Sequence, residues 1–231
     1  MIESTCPIPP SICFPNERSV MIERANAGDR NAQYRLACCY LKGVKGFKRS
    51  PKHATQLFRK AADQGMPEAQ WKLAARALAH HDDTDALYWC QLAADQSHPL
   101  ALGQLALFHL EGKAGVTQNT TNAILLYQLA ADRGNRDALF QMAILYETGG
   151  QGGSSSAAAV DYREAARCYI RLARDFLCHE SMFRLGNLYM MGDGVPLDST
   201  KAFLLWEKAA TCGGHEGAQS NLTLRDLATT E

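Results

Sequence analysis

Apolar and polar residues recur along this chain with a helical period, and the recurrence repeats. Five stretches align as copies: AQYRLACCYLKG from Ala32, AQWKLAARALAH from Ala69, ALGQLALFHLEG from Ala101, ALFQMAILYETG from Ala138 and SMFRLGNLYMMG from Ser181. Each has a small residue at i, Leu or Met at i+4 and Ala or Gly at i+5, and four have a ring at i+8 (Tyr40, His109, Tyr146, Tyr189). That spacing puts one apolar stripe on a helix.

A second pattern follows each first one: HATQLFRKAADQG, DALYWCQLAADQS, NAILLYQLAADRG, EAARCYIRLARDF and KAFLLWEKAATCG. In four copies an Ala stands seven residues before a small pair (Ala54 to Ala61, Ala86 to Ala93, Ala123 to Ala130, Ala202 to Ala209). In the fourth, Ala165 leads to Leu172-Ala173. Phe58, Tyr127, Tyr169 and Trp206 precede the pair by three, while the second copy has Cys90 there and Trp89 beside it. Gly65, Gly134 and Gly213 read as the left-handed residues that end helices.

First-helix patterns start near 32, 69, 101, 138 and 181, and half-units close both ends, VMIERANAGD at 20–29 and EGAQSNLTLRDLA at 216–228. A single helix pair cannot bury its stripe alone, whereas stacked pairs share a continuous core. The chain therefore divides into a Pro-rich segment, 1–17, expected to be irregular, and one repeat domain, 18–228. GGQGGSSS marks a flexible insert at 149–160.

The series Ala-x3-Leu-Gly/Ala-x2-Tyr-x2-Gly-x-Gly-Val, then Ala-x3-Trp/Tyr-x2-Ala-Ala-x-x-Gly, resembles the Sel1-like repeat, a relative of the tetratricopeptide repeat. The fifth copy, SMFRLGNLYMMGDGVPLDSTKAFLLWEKAATCGG, is nearly complete. The second lacks the Gly-x-Gly-Val turn and the fourth lacks the Ala-Ala pair. The resemblance implies an all-α fold, a right-handed α/α superhelix of about five helix pairs. It also implies a protein-binding scaffold or adaptor with no catalysis of its own.

Composition narrows this further. Lys and Arg number 24, as do Asp and Glu, so no net basic field attracts nucleic acid or an anionic membrane, although local patches remain open. No run of 18 apolar residues occurs, and MIESTCPIPPSICFPNERSV lacks the basic and apolar regions of a signal peptide, which together suggest a cytoplasmic protein. Eight cysteines without a CxxC pair suit reduced, mostly buried thiols.

The stretch that most resembles chemistry is His80-His81-Asp82-Asp83, four residues with metal-binding side chains. It falls where the other copies place their inter-helix turn, about five residues shortened, so Asp82, Asp83 or Thr84 is expected to cap the next helix. Cys38-Cys39 lies mid-helix with no resolving partner, and Cys178-His179 lies in an inter-repeat turn with no third group. No GxGxxG, GK[ST], GxSxG or HExxH occurs. No catalytic residue, metal or cofactor is assigned. A metal- or thiol-dependent enzyme rests on isolated adjacencies only.

The remaining signal is the row of first helices. With the stripe at i, i+4 and i+8, positions i+2, i+3, i+6 and i+9 turn away. Tyr34, Trp71, Phe140 and Phe183 at i+2 are expected to pack between repeats. The resemblance puts first helices on the concave face. That makes Arg35, Lys72, Gln104, Gln141 and Arg184 at i+3, with Cys38, Leu107, Ile144 and Asn187 at i+6, the candidate contacts for a protein or peptide partner. The alternative use is as a dedicated inhibitor, such as a bacterial immunity protein that caps a secreted toxin.

Overall fold

A computed structural model describes residues 15–149 and 159–228, and these form helices and turns without strands. The first helices of the five pairs are α2 (Arg30–Lys42), α4 (Pro67–Ala79), α6 (Pro99–Glu111), α8 (Arg136–Thr148) and α10 (His179–Met191). The second helices are α3 (Pro51–Asp63), α5 (Asp83–Asp95), α7 (Thr120–Asp132), α9 (Tyr162–Phe176) and α11 (Ser199–Gly213). Half-unit helices α1 (Pro15–Asn26) and α12 (Glu216–Ala228) flank them.

Each first helix begins two residues before the small residue that opens its motif. The motif marks the first buried position, whereas the helix starts at its cap. Pro67 and Pro99 open α4 and α6, where a missing N–H costs nothing. Asp29, Asn135 and Asp161 cap α2, α8 and α9 through side-chain oxygens. At the start of the chain, α1 begins at Pro15, so residues 15–17 are helical rather than irregular. The rest of the Pro-rich segment and residues 150–158 of the 149–160 insert lie outside the described residues.

Gly65 and Gly134 hold φ of +78° and +86° as expected after a helix. The third expected glycine differs. Gly214, at φ +61°, closes α11, and Gly213 is helical. A Cβ on Gly213 would lie 2.2 Å from the His179 ring, so close approach is what that glycine serves.

The chain divides into two compact units, Met1–Leu105 and Ala106–Glu231. In the first, α2 packs between α1 and α3, and α4 between α3 and α5. Ala25, Ala32, Leu36, Cys39 and Phe47 form part of its core. In the second, α8 packs between α7 and α9, and α10 between α9 and α11; Met182, Trp206, Ala209 and Ala218 cluster at its end. Ala61, Ala93, Ala130 and Ala209, the leading residues of the small pairs, are fully buried. The backbones approach there because no longer side chain intervenes. Gly186 follows the same logic, since a Cβ would come 2.5 Å from the Trp206 indole nitrogen.

Candidate functional site

The His-Asp tip resolves into turn chemistry. Asp82 is the N-cap of α5, its carboxylate accepting from the Asp85 N–H at 3.1 Å and from the Thr84 hydroxyl at 2.9 Å. The hydrogen bond from the Asp85 backbone, then that from Thr84, holds the Asp82 carboxyl below its ordinary value. Asp85 accepts from the Trp89 indole N–H at 3.1 Å, and His81 takes a left-handed φ of +59°. Among the described residues, no three His, Cys, Asp or Glu side chains are grouped to hold a metal ion.

The thiols are placed similarly. Cys38, Cys39, Cys90 and Cys168 are buried. Burial pushes Cys90 and Cys168 up to about 12, which keeps both as thiols at neutral pH. Cys178 is the N-cap residue of α10 and His179 its first helical residue.

The first-helix row is present with two corrections. Cys38 is only 5% exposed and offers nothing to a partner. Arg184 is already engaged: its guanidinium meets Glu180 at 2.7 Å and Glu147 at 3.1 Å. Burial along the first helices spans i, i+1, i+4 and i+5, an arc wider than the stripe; Cys38, at i+6, is buried in its copy alone, and Arg184, at i+3, is held by two carboxylates rather than by burial. In the first unit Arg35 is exposed, and Lys72 and Gln104 are half-buried; in the second, Gln141 is exposed, and Leu107, Ile144 and Asn187 are half-buried. The i+2 rings are half-buried, and two of them meet a ring of their own helix pair rather than of a neighbouring repeat. Tyr34 meets Phe58 at 5.5 Å and Phe140 meets Tyr169 at 6.3 Å between ring centroids, while Trp71 stacks on His98 and Phe183 on His215.

Two polar systems were not anticipated from the sequence. In the first unit, buried Gln33 and Gln70 donate to the carbonyls of Ala25 and Ala62, and accept from the amides of Gln64 and Gln96. The signal was the Gln after the small residue of AQYRLA and AQWKLA, matched by the Gln of ADQG and ADQS. In the second unit, Tyr169 donates to Glu147, Glu147 pairs with Arg184, Arg184 with Glu180, and Glu180 with His215 at 2.7 Å. His215 also caps α12, its Nδ1 accepting from the Ala218 N–H at 3.2 Å, so the tautomer protonated at Nε2 donates to Glu180. Burial opposes ionisation of Glu180, but hydrogen bonds from His215 and Arg184 outweigh it and hold the carboxyl below its ordinary value.

No helix of the described residues is long and apolar enough to cross a membrane. Among curated proteins, none matches this sequence. Among solved structures, a Sel1 repeat protein from Oxalobacter formigenes is similar, with a TM-score of 0.75 and 23% identity over 87% of this chain and 80% of that one. A protective antigen of uropathogenic Escherichia coli strains, described as displaying an SLR fold, gives 0.73 and 26% over 90% of this chain and 43% of that one, so this chain spans less than half its length. An immunity protein of Pseudomonas aeruginosa gives 0.53 and 22% over 87% and 75%, a likeness of fold alone. The Sel1 repeat profile itself matches residues 30–66, 67–98, 99–135, 136–175 and 179–214. Each matched stretch holds one first helix and one second helix, the small residues packed inside and the capped turns between them, and the chain belongs to the Sel1 repeat family.

Proposed function

We propose that this chain is a non-catalytic protein-binding module that docks a partner on the outward side of its first helices. The observation that carries this reading is the mixed row left uncovered in each unit. Arg35 and Lys72 stand with Leu41 and Leu78 in the first, and Gln141 and Asn187 with Ile144 and Met190 in the second. Polar groups beside half-buried apolar ones are what a specific protein interface uses, the apolar part giving affinity and the polar part register. Repeat arrays of this family are generally such scaffolds, and the row supplies the same kind of surface here.

Capture of partners by the wild-type chain, followed by binding kinetics of Lys72→Glu in the first unit and Gln141→Arg in the second, tests the reading. Slower association or faster dissociation with an unchanged melting temperature is the expected outcome. Unchanged kinetics in both variants would move the interface to another surface.

A narrower reading is a dedicated inhibitor. It is favoured by the immunity protein among the structural neighbours, whose likeness is one of fold. Rescue of growth when the chain is co-expressed with a toxin encoded beside it would support this use over a general adaptor.

A further inference from the structure

Charge is unevenly distributed in a chain whose net charge is zero. Residues 1–60 carry 11 Lys and Arg against 4 Asp and Glu, while residues 61–231 carry 13 against 20. Part of the basic excess gathers in the first unit, where α1 lies against α2. A cavity of about 350 Å3 opens there, lined by Glu17, Val20, Met21, Arg24, Arg35 and Lys45 among others. Asp29 both caps α2 and pairs with Arg24, so the helix end is already satisfied and the Arg24 charge already matched. Arg35 and Lys45 differ, because neither forms an ion pair with any described residue. Arg35 is exposed, Lys45 is half-buried, and Val20, 46% exposed, gives the cavity an apolar wall with Met21.

The geometry points to this cavity as the docking site for an acidic segment of a partner protein. The segment sets an Asp or Glu carboxylate on Arg35 and Lys45, and an apolar side chain against Val20 and Met21. This rests on the protein-binding reading above and gives it a partner chemistry. The guanidinium of Arg35 offers a carboxylate two parallel N–H donors, and Lys45 adds a mobile point charge. The surplus of cations around the cavity steers an acidic chain towards it and disfavours a basic one. A nucleic acid fits less well. Its phosphates are met by cations spread along a stripe, and the apolar wall has no counterpart on a phosphate backbone.

Selection of phage-displayed random dodecapeptides on the full chain, then fluorescence anisotropy of the enriched peptides, tests the assignment. Enriched sequences should place Asp or Glu near Leu, Ile or Phe, and their binding should weaken as salt is raised. The Arg35→Glu/Lys45→Glu variant should bind them at least about tenfold more weakly with an unchanged melting temperature. Lys208→Glu, which alters an exposed cation of α11, should bind them as the wild type does. Enriched peptides without acidic residues, or equal binding by the double variant, would overturn the assignment. So would heparin or duplex DNA that binds more tightly than every enriched peptide and is lost in the double variant. If a captured partner is sensitive to Lys72→Glu while no acidic peptide is enriched, the docking chemistry fails and the protein-binding reading stands.

Discussion

In the first unit, the carbonyls of Ala25 and Ala62 each take a backbone N–H from the following turn and a second donor from a buried glutamine. In the second unit the equivalent carbonyl is that of Ala131. It takes the Gly134 N–H, but its second donor is the guanidinium of Arg171 at 3.1 Å, which also pairs with Asp132. Leu139 and Met182 stand where Gln33 and Gln70 stood, and Leu102 already breaks the pattern at the end of the first unit. Carbonyls at the end of a helix must find donors, whatever supplies them. The two units therefore share a skeleton of small and apolar residues while their polar cross-links differ. At these helix ends neutral amides link the first unit, whereas ion pairs and a histidine link the second, and the latter respond to salt.

The largest expected effect tests the shared skeleton. Ala61→Leu in the first unit and Ala130→Leu or Ala209→Leu in the second each add three carbons at a fully buried contact. Overpacking of this kind costs about 1–3 kcal/mol, so all three melting temperatures should fall by several degrees. A variant of one unit that melts like the wild type would break the equivalence.

Arg184→Met should come next, at about 1–2 kcal/mol, because it leaves Glu147 and Glu180 without their shared cation. The figure is held down by solvent, since the Arg184 side chain is 32% and that of Glu180 40% exposed. The loss should shrink in about 1 M salt, where the screening length is short. A salt-independent loss would mean that Arg184 acts by packing on Phe140, which lies 5.9 Å from its guanidinium carbon.

Gln70→Leu copies the second unit into the first and should cost about 1 kcal/mol, since Gln96 then loses its side-chain acceptor, keeping only the Leu92 carbonyl, and Ala62 loses its glutamine donor. Adding Gln96→Leu should recover part of that loss. Strictly additive losses in the double-mutant cycle would show that the two amides are not coupled.

The smallest effect concerns His98, whose Nδ1 accepts from the Ala101 N–H at 3.4 Å and so caps α6 only when that nitrogen carries no proton. Burial lowers its pKa from the ordinary 6.5, with Glu68 opposing and Lys72 assisting. The unfolded chain then binds the proton more readily than the folded one. Stability from this group is complete above about pH 6.5 and is lost as pH falls through the folded value. His98→Asn, a cap of the kind Asn135 supplies to α8, should flatten the melting temperature between about pH 7 and about pH 5. An identical acid slope in the variant would assign the titration to other groups.

Read from the chain alone, the helix pairs were legible because their determinants are local. A small residue, Leu four on and Ala five on repeat within one helix, and the Ala-Ala pair repeats within the next. The cap at Asp82 was legible for the same reason, being a turn shortened in register with its copies. The polar links were not. Gln70 meets Gln96 across 26 residues, and Arg184 meets Glu147 across 37, distances over which spacing carries no geometric information.

The sequence by itself determined the repeat, its helix pairs, its capped turns and the small residues on which neighbouring helices close. Tertiary structure decided which outward positions stay outward. Arg35 and Arg184 hold the same place in their copies, yet one is exposed beside a cavity and the other is tied between Glu147 and Glu180. A periodic pattern fixes which way a side chain leaves its helix, but its freedom depends on the charges that the next helices bring to it, and those lie outside the period.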